Sequence, residues 1–266
     1  MVLLLSGLLN LSSWPPELSL RVLSHLNATD LCLASGVWQD LALDELLWHS
    51  LCRSNWPYAS IYKKKEISSF TKLYLMLDEG SVTFNADPFL GMAYFVEHEI
   101  VDDVPQEIAK FLHYSKVLKR SQIRVYLQQE EHEEIIDHLV RLENFRNINL
   151  SNALRRYFSQ TIEAPTSTLE DSYLQTLIQK FSGRFCECNP DLGLSPDMVY
   201  ILCYSLIMLS VDLNSPHIKN KMSKREFIKN LRRALQKIDD DLYGQLYDDV
   251  YLRGHIACFY DQRNRL

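Results

Sequence analysis

Apolar residues recur at three- and four-residue intervals along most of the chain, the spacing of amphipathic helices. Leu18, Val22, Leu23 and Leu26 follow it behind Pro15 and Pro16, prolines at first helical positions where a missing N–H costs nothing. Asn27-Ala28-Thr29-Asp30 interrupts the run, and Thr29 or Asp30 is placed to cap a helix beginning at Leu31. Asp44 opens a third helix with Leu46, Leu47, Trp48 and Leu51. Ser68 to Leu77 reads as another, closed by Asp78-Glu79-Gly80.

The second half of the chain continues the pattern. Tyr173, Leu174, Leu177, Ile178, Phe181 and Phe185 make one stripe. Ser195-Pro196-Asp197 supplies an N-cap, a first-turn proline and a first-turn acid. Nearly every residue from Met198 to Val211 is apolar, which predicts a helix buried on all sides. That run is too short to span a bilayer, so it reads as a central helix. Ser223-Lys224-Arg225-Glu226 is a capping box ahead of a stripe formed by Phe227, Leu231, Leu235 and Ile238. An all-α fold is expected, since 8 Gly and 9 Pro leave too few turns for an all-β protein.

Composition adds exclusions. The 266 residues are 47% apolar, enough for a real core. A net charge of −6 gives no general attraction for nucleic acid, and none is expected as a partner. Lys63-Lys64-Lys65 and the basic run from Lys219 to Arg233 read as solvated faces, with a membrane-surface role as the alternative. The six cysteines follow no disulfide or zinc spacing, so buried free thiols in a reducing compartment are expected. No HExxH, P-loop, GxSxG or GxGxxG sequence occurs, and neither metal nor cofactor is expected. The acidic run from Glu130 to Glu134 reads as a solvated first turn. Met1–Leu11 lacks the basic flank of a signal peptide and reads as an apolar patch, with a signal anchor as the alternative.

Two resemblances organise these helices. P-P-E-L at 15–18, V-L-S-H-L at 22–26, D-L-C at 30–32 and D-E-L-L-W-H-S-L-C at 44–52 resemble an F-box, with a middle helix a few residues shorter than the family's. That resemblance implies docking on the Skp-type adaptor of a cullin–RING ubiquitin ligase, through Pro15, Pro16, Leu18, Leu23, Leu26, Leu31 and Trp48. F-N-A-D-P-F-L-G-M-A-Y-F at 84–95, D-D-V-P-Q-E-I-A-K-F-L at 102–112 and N-L-S-N-A-L-R-R-Y-F at 149–158 resemble a Sec-seven domain. F-C-E-C-N-P at 185–190, Y-x-L-C-Y-S-L-I-M-L at 200–209 and P-H-I-K-N-K-M at 216–222 continue it in order.

The second resemblance implies a right-handed superhelix of helices and an exchange factor for Arf-family GTPases. Its groove residues would be Tyr200, Met208, Leu209, Ser210, Leu213 and Asn214. In the family a loop reading F-R-L-P-G-E pushes a glutamate toward the bound magnesium and phosphate. Like charges 4 Å apart repel by roughly 4 kcal/mol at an effective dielectric of 20. Counting back from Cys186 puts Glu170 on that glutamate; counting forward from Ala153 puts Thr166 there, so the loop is longer than the family's. Glu170 is a finger on one reading and the third residue of a capping box opened by Ser167 on the other. Ser210 stands where the family motif M-L-N-T-x-L-H-N-P has asparagine.

The expected organisation is an apolar segment (1–12), an F-box (13–57), a partly helical linker (58–82), a Sec-seven-like domain (83–254) and a tail (255–266). The expected function is binding an Arf-family GTPase and linking it to a ubiquitin ligase; the alternative is nucleotide exchange on Arf. Either places the chain in the cytoplasm, at most peripheral to membranes where Arf resides.

Overall fold

The computed structural model describes residues 11–64, 66–164, 171–235 and 240–257, and among these there are helices and no strand. The chain divides into two compact units, Met1–Gln122 and Ile123–Leu266.

The first unit opens with a 3-10 turn (Leu11–Ser13), then α1 (Pro16–Leu23), α2 (Ala28–Ser35), the one-turn α3 (Gln39–Ala42) and α4 (Glu45–Asn55). Asn27, not Thr29 or Asp30, caps α2, its side chain accepting from the Asp30 N–H at 2.9 Å. Three capping residues compete within four positions, and the one that lets Ala28 start the helix is used; Leu31 of that helix enters the core. Asp44 caps α4 as expected. Leu11, Leu23, Leu31, Leu47 and Trp48 make a small core, closed on one side by Phe70 and Tyr74 of α6 (Phe70–Ala86).

α6 is longer than the sequence pattern predicts, because Gly80 lies inside it rather than ending it. A Cβ on Gly80 would come 2.4 Å from the Phe95 ring, so that glycine exists to admit α7 (Pro88–Glu97). Gly91 of α7 returns the contact: its missing Cβ would lie 2.2 Å from Phe84 Cα. The connection after α4 is stitched to this hairpin and to α8 (Pro105–Tyr114), past the short α5 (Ile61–Lys64). Lys63 pairs with Glu107 at 2.6 Å, Lys64 pairs with Asp102, and Tyr58 lies on Tyr114. The F-box-like segment is therefore held against α6–α8 by a shared core.

α9 (Arg120–Leu127) leads into the second unit, which holds a 3-10 turn (Glu130–His132), α10 (Glu133–Leu142), α11 (Leu150–Arg156) and a π turn (Tyr157–Thr161). α12 (Asp171–Cys188), α13 (Pro196–Asn214), α14 (Lys224–Ala234) and α15 (Asp240–Arg253) complete it. The Ser195 cap and the Ser223–Glu226 capping box form as the sequence predicts. α13 packs against α11, α12, α14 and α15. It is long and apolar enough to cross a membrane by length and composition. It is not buried all round: Val199, Leu202, Cys203, Leu206, Ile207, Leu209 and Ser210 face the core, while Tyr204 is 38% exposed. A continuous apolar run has no periodicity, so its outward face could not be read from pattern. Of the described cysteines only Cys52 and Cys203 are buried; Cys32 is exposed.

Candidate functional site

The site residues on α13 separate by helical geometry. Successive residues turn by about 100°, so Tyr200, Tyr204, Met208 and Val211 share one face. Tyr200, Met208 and Val211 are half-buried and Tyr204 is exposed, which leaves an aromatic-and-thioether stripe reachable from solvent. Leu209 and Ser210 point inward, at 1% and 0% exposure. Leu213 is half-buried and Asn214 exposed at the end of the helix.

The Ser210 hydroxyl is spent locally. It donates to the Ile207 carbonyl at 2.9 Å, while Asn214 Nδ2 donates to the Ser210 carbonyl at 2.7 Å. The segment after α13 is pinned down: Asp212 accepts from the Met222 N–H at 2.7 Å, and the Tyr247 hydroxyl donates to the Met222 carbonyl at 2.9 Å. Glu170, Thr166 and Ser167 lie outside the described residues.

The root of that loop is braced in a way the sequence did not signal. α11 loosens into a π turn, a distortion that needs local support. Thr161 donates to the buried Glu143 carboxylate at 2.6 Å, Arg156 pairs with the same carboxylate at 2.9 Å, and Arg184 donates to the Glu143 carbonyl at 3.0 Å. The Tyr157 hydroxyl donates to the Leu177 carbonyl, and burial holds its pKa well above the usual phenol value. One level down, Arg155 pairs with Asp249 and donates to the carbonyls of Gly254 and His255, tying α11 to the end of α15.

A cavity of about 910 Å³ opens at the other end of α13, lined by Leu150, Phe185, Leu194, Met198, Leu202 and Leu246 among others. It contains none of the residues singled out as a groove.

In the first unit, Pro15, Pro16 and Leu18 are exposed and Leu26 is half-buried, whereas Leu23, Leu31 and Trp48 are sealed in the core. The latter three cannot touch a partner while the module stays folded. Val22, Leu33, Val37, Leu43 and Leu46, which the sequence reading did not name as adaptor contacts, are exposed; Leu33 and Val37 exceed 70%. These exposed apolar side chains all belong to one small helical module. A shallow hollow between α1 and α4, lined by Leu20, Arg21, His25, Leu46 and Leu47, adds relief to it.

Comparison with known proteins finds two family matches, and the second begins inside the first unit. The Sec7 domain profile matches residues 74–253 and the F-box-like profile residues 11–54. F-box only protein 8 of Mus musculus is 59% identical over 258 residues, which are 95% of this chain and 79% of that protein. The crystal structure of the Sec7p catalytic domain superposes with a TM-score of 0.60 at 26% identity, covering 71% of this chain and 99% of that one. A structure of ARF1-GDP bound to a Sec7 domain complexed with Brefeldin A gives a TM-score of 0.63 at 19% identity, covering 70% and 95%, and shows the shared fold. This chain is a member of the family of F-box proteins that carry a Sec7 domain.

Proposed function

We propose that this protein is an adaptor: the α13 face holds an Arf-type small GTPase, and the F-box offers it to a cullin–RING ubiquitin ligase through a Skp-type adaptor. The observation that carries the reading is the outward stripe of Tyr200, Tyr204, Met208 and Val211. Tyrosines anchor protein interfaces, and methionine adapts to mobile partners. The exposed apolar surface around Leu18, Leu33, Val37 and Leu46 supports a second, separate contact. Two surfaces on one chain are what a bridging protein needs.

The test uses the full chain. Arf loaded with GDP or a GTP analogue should be captured by the wild type and lost with Tyr204→Asp, at an exposed position, and with Met208→Asp, at a half-buried one. Retained capture by both variants overturns the reading.

Nucleotide exchange is the second reading, favoured by the family and by the position of Glu170. Against it stands Ser210, whose hydroxyl is turned onto its own helix. Release of labelled GDP from Arf, with and without Glu170→Lys, decides it: no acceleration, or none lost in the variant, removes Glu170 as a finger.

A further inference from the structure

A strongly basic surface lies on α14 and the segment leading into it. Seven of the 28 Lys and Arg residues, but only one of the 34 Asp and Glu residues, fall within 217–234, in a chain of net charge −6. All seven (Lys219, Lys221, Lys224, Arg225, Lys229, Arg232, Arg233) are exposed. The helix carrying most of them is fixed in rotation. Phe227 and Leu231 are buried, the Ser223–Glu226 box caps its start, and Phe227 packs on Tyr247. Arg225, Lys229 and Arg233 recur every four residues, so they form one outward row.

Four nearby acids among the described residues are already committed. Asp248 pairs with Lys224 at 2.6 Å, Asp240 pairs with Arg232, Asp212 accepts from Met222, and Glu226 closes the capping box. Lys219, Arg225, Lys229 and Arg233 form no ion pair among the described residues. Two shallow hollows lie along this face, one lined by Lys224, Arg225 and Lys229 with Glu226 and Asp240, the other by Lys221, Lys229 and Arg233 with Asp212 and Glu226.

We infer that the α14 face is a peripheral contact for an anionic phospholipid bilayer. The outward row is Arg225, Lys229 and Arg233, with no aromatic or large aliphatic anchor, which argues against a protein hot spot. It has no exposed aromatic platform for stacking bases. A plane meets an exposed helix along its crown only, whereas a flexible polyanion would extend over the rest of a chain whose net charge is negative. A few juxtaposed cations, each attracted by the surface potential, bind reversibly and are screened by salt. This inference does not depend on the GTPase reading.

The experiment is flotation of the full chain with phosphatidylcholine vesicles, with and without phosphatidylserine. Binding is expected only with phosphatidylserine and should disappear between about 0.1 M and about 1 M salt, as the screening length falls from about 10 to about 3 Å. The triple variant Arg225→Gln, Lys229→Gln, Arg233→Gln should lose roughly a hundredfold in partitioning. A control removing three exposed cations elsewhere, Arg21→Gln, Lys72→Gln, Arg146→Gln, should keep most of it. No binding to phosphatidylserine vesicles, equal loss in both triples, or capture of duplex DNA without capture of vesicles overturns the inference.

Discussion

Trp56 donates its indole N–H to the Ser81 hydroxyl at 3.0 Å, and both residues are sealed from solvent. The bond crosses from the segment following the F-box helices to the middle of α6, and Ser81 passes a second bond on to the Leu77 carbonyl at 2.7 Å. Trp48 and Trp56 both meet Tyr74 edge-on, with ring centroids 5.3 Å apart in each pair. Ser81→Ala would leave a buried indole N–H without its partner, costing about 1–3 kcal/mol. Trp56→Ala should cost about 3–5 kcal/mol, because it also opens a cavity. Urea unfolding followed by circular dichroism measures both, and Trp56→Ala must be the larger.

The two glycine classes make a paired prediction. Gly91→Ala drives a methyl into the backbone of Phe84, where nothing can rotate away, and should destabilise by about 2 kcal/mol or more. Gly183→Ala, in the interior of α12 with no atom within 4 Å of the new carbon, should stabilise by up to about 1 kcal/mol. Melting temperatures moving in opposite directions are the expected result.

For the adaptor surface, Leu18→Asp and Leu46→Asp place a charge where the side chain is now 53% and 68% exposed. Calorimetric titration with a Skp-type adaptor should show a loss of at least about tenfold, since such substitutions cost about 1.4 kcal/mol or more of binding. Their melting curves should stay near wild type. Leu23→Asp, at 1% exposure, should instead unfold the module.

Putting the family's asparagine at position 210 should not raise exchange. Ser210 is at 0% exposure, so Ser210→Asn forces extra volume into a filled core, at a cost of about 1–3 kcal/mol. Labelled-GDP release from Arf should be no faster than with wild type, while the melting temperature falls.

Acid should weaken the protein. The hydrogen bond from Lys63, reinforced by Lys110, holds the Glu107 carboxyl below its usual range; the Ser223 bonds do the same for Glu226. Burial pushes the His255 imidazole below its ordinary value. In each case the unfolded chain binds the proton more readily. The stabilisation is complete above the ordinary pKa of each group and is lost as pH falls through the lower folded value. Urea midpoints should therefore drop on acidification, first below the histidine range and again below about pH 4.5, and Glu107→Gln should flatten the second drop.

What the sequence disclosed was local. The Ser195 cap, the Ser223 box and the stripe from Tyr173 to Phe185 depend on residues within a turn or two of each other, and all appear as expected. Gly80 misled because the ring that needs its missing side chain, Phe95, belongs to the next helix. The π turn depends on Glu143, eighteen positions before Thr161, and no local pattern reports that pairing. Among the adaptor residues, Leu23, Leu31 and Trp48 were legible as apolar positions, but which face each would take was fixed only by packing on Phe70 and Tyr74.

The Sec7 match begins at Tyr74, partway along a helix whose cap is Ser69 and whose first turn is held by Glu45. A fragment cut at that family boundary would start mid-rod, without its cap and with the Tyr74 ring stripped of both tryptophans. Both pieces of this chain should be less stable after such a cut than they are together.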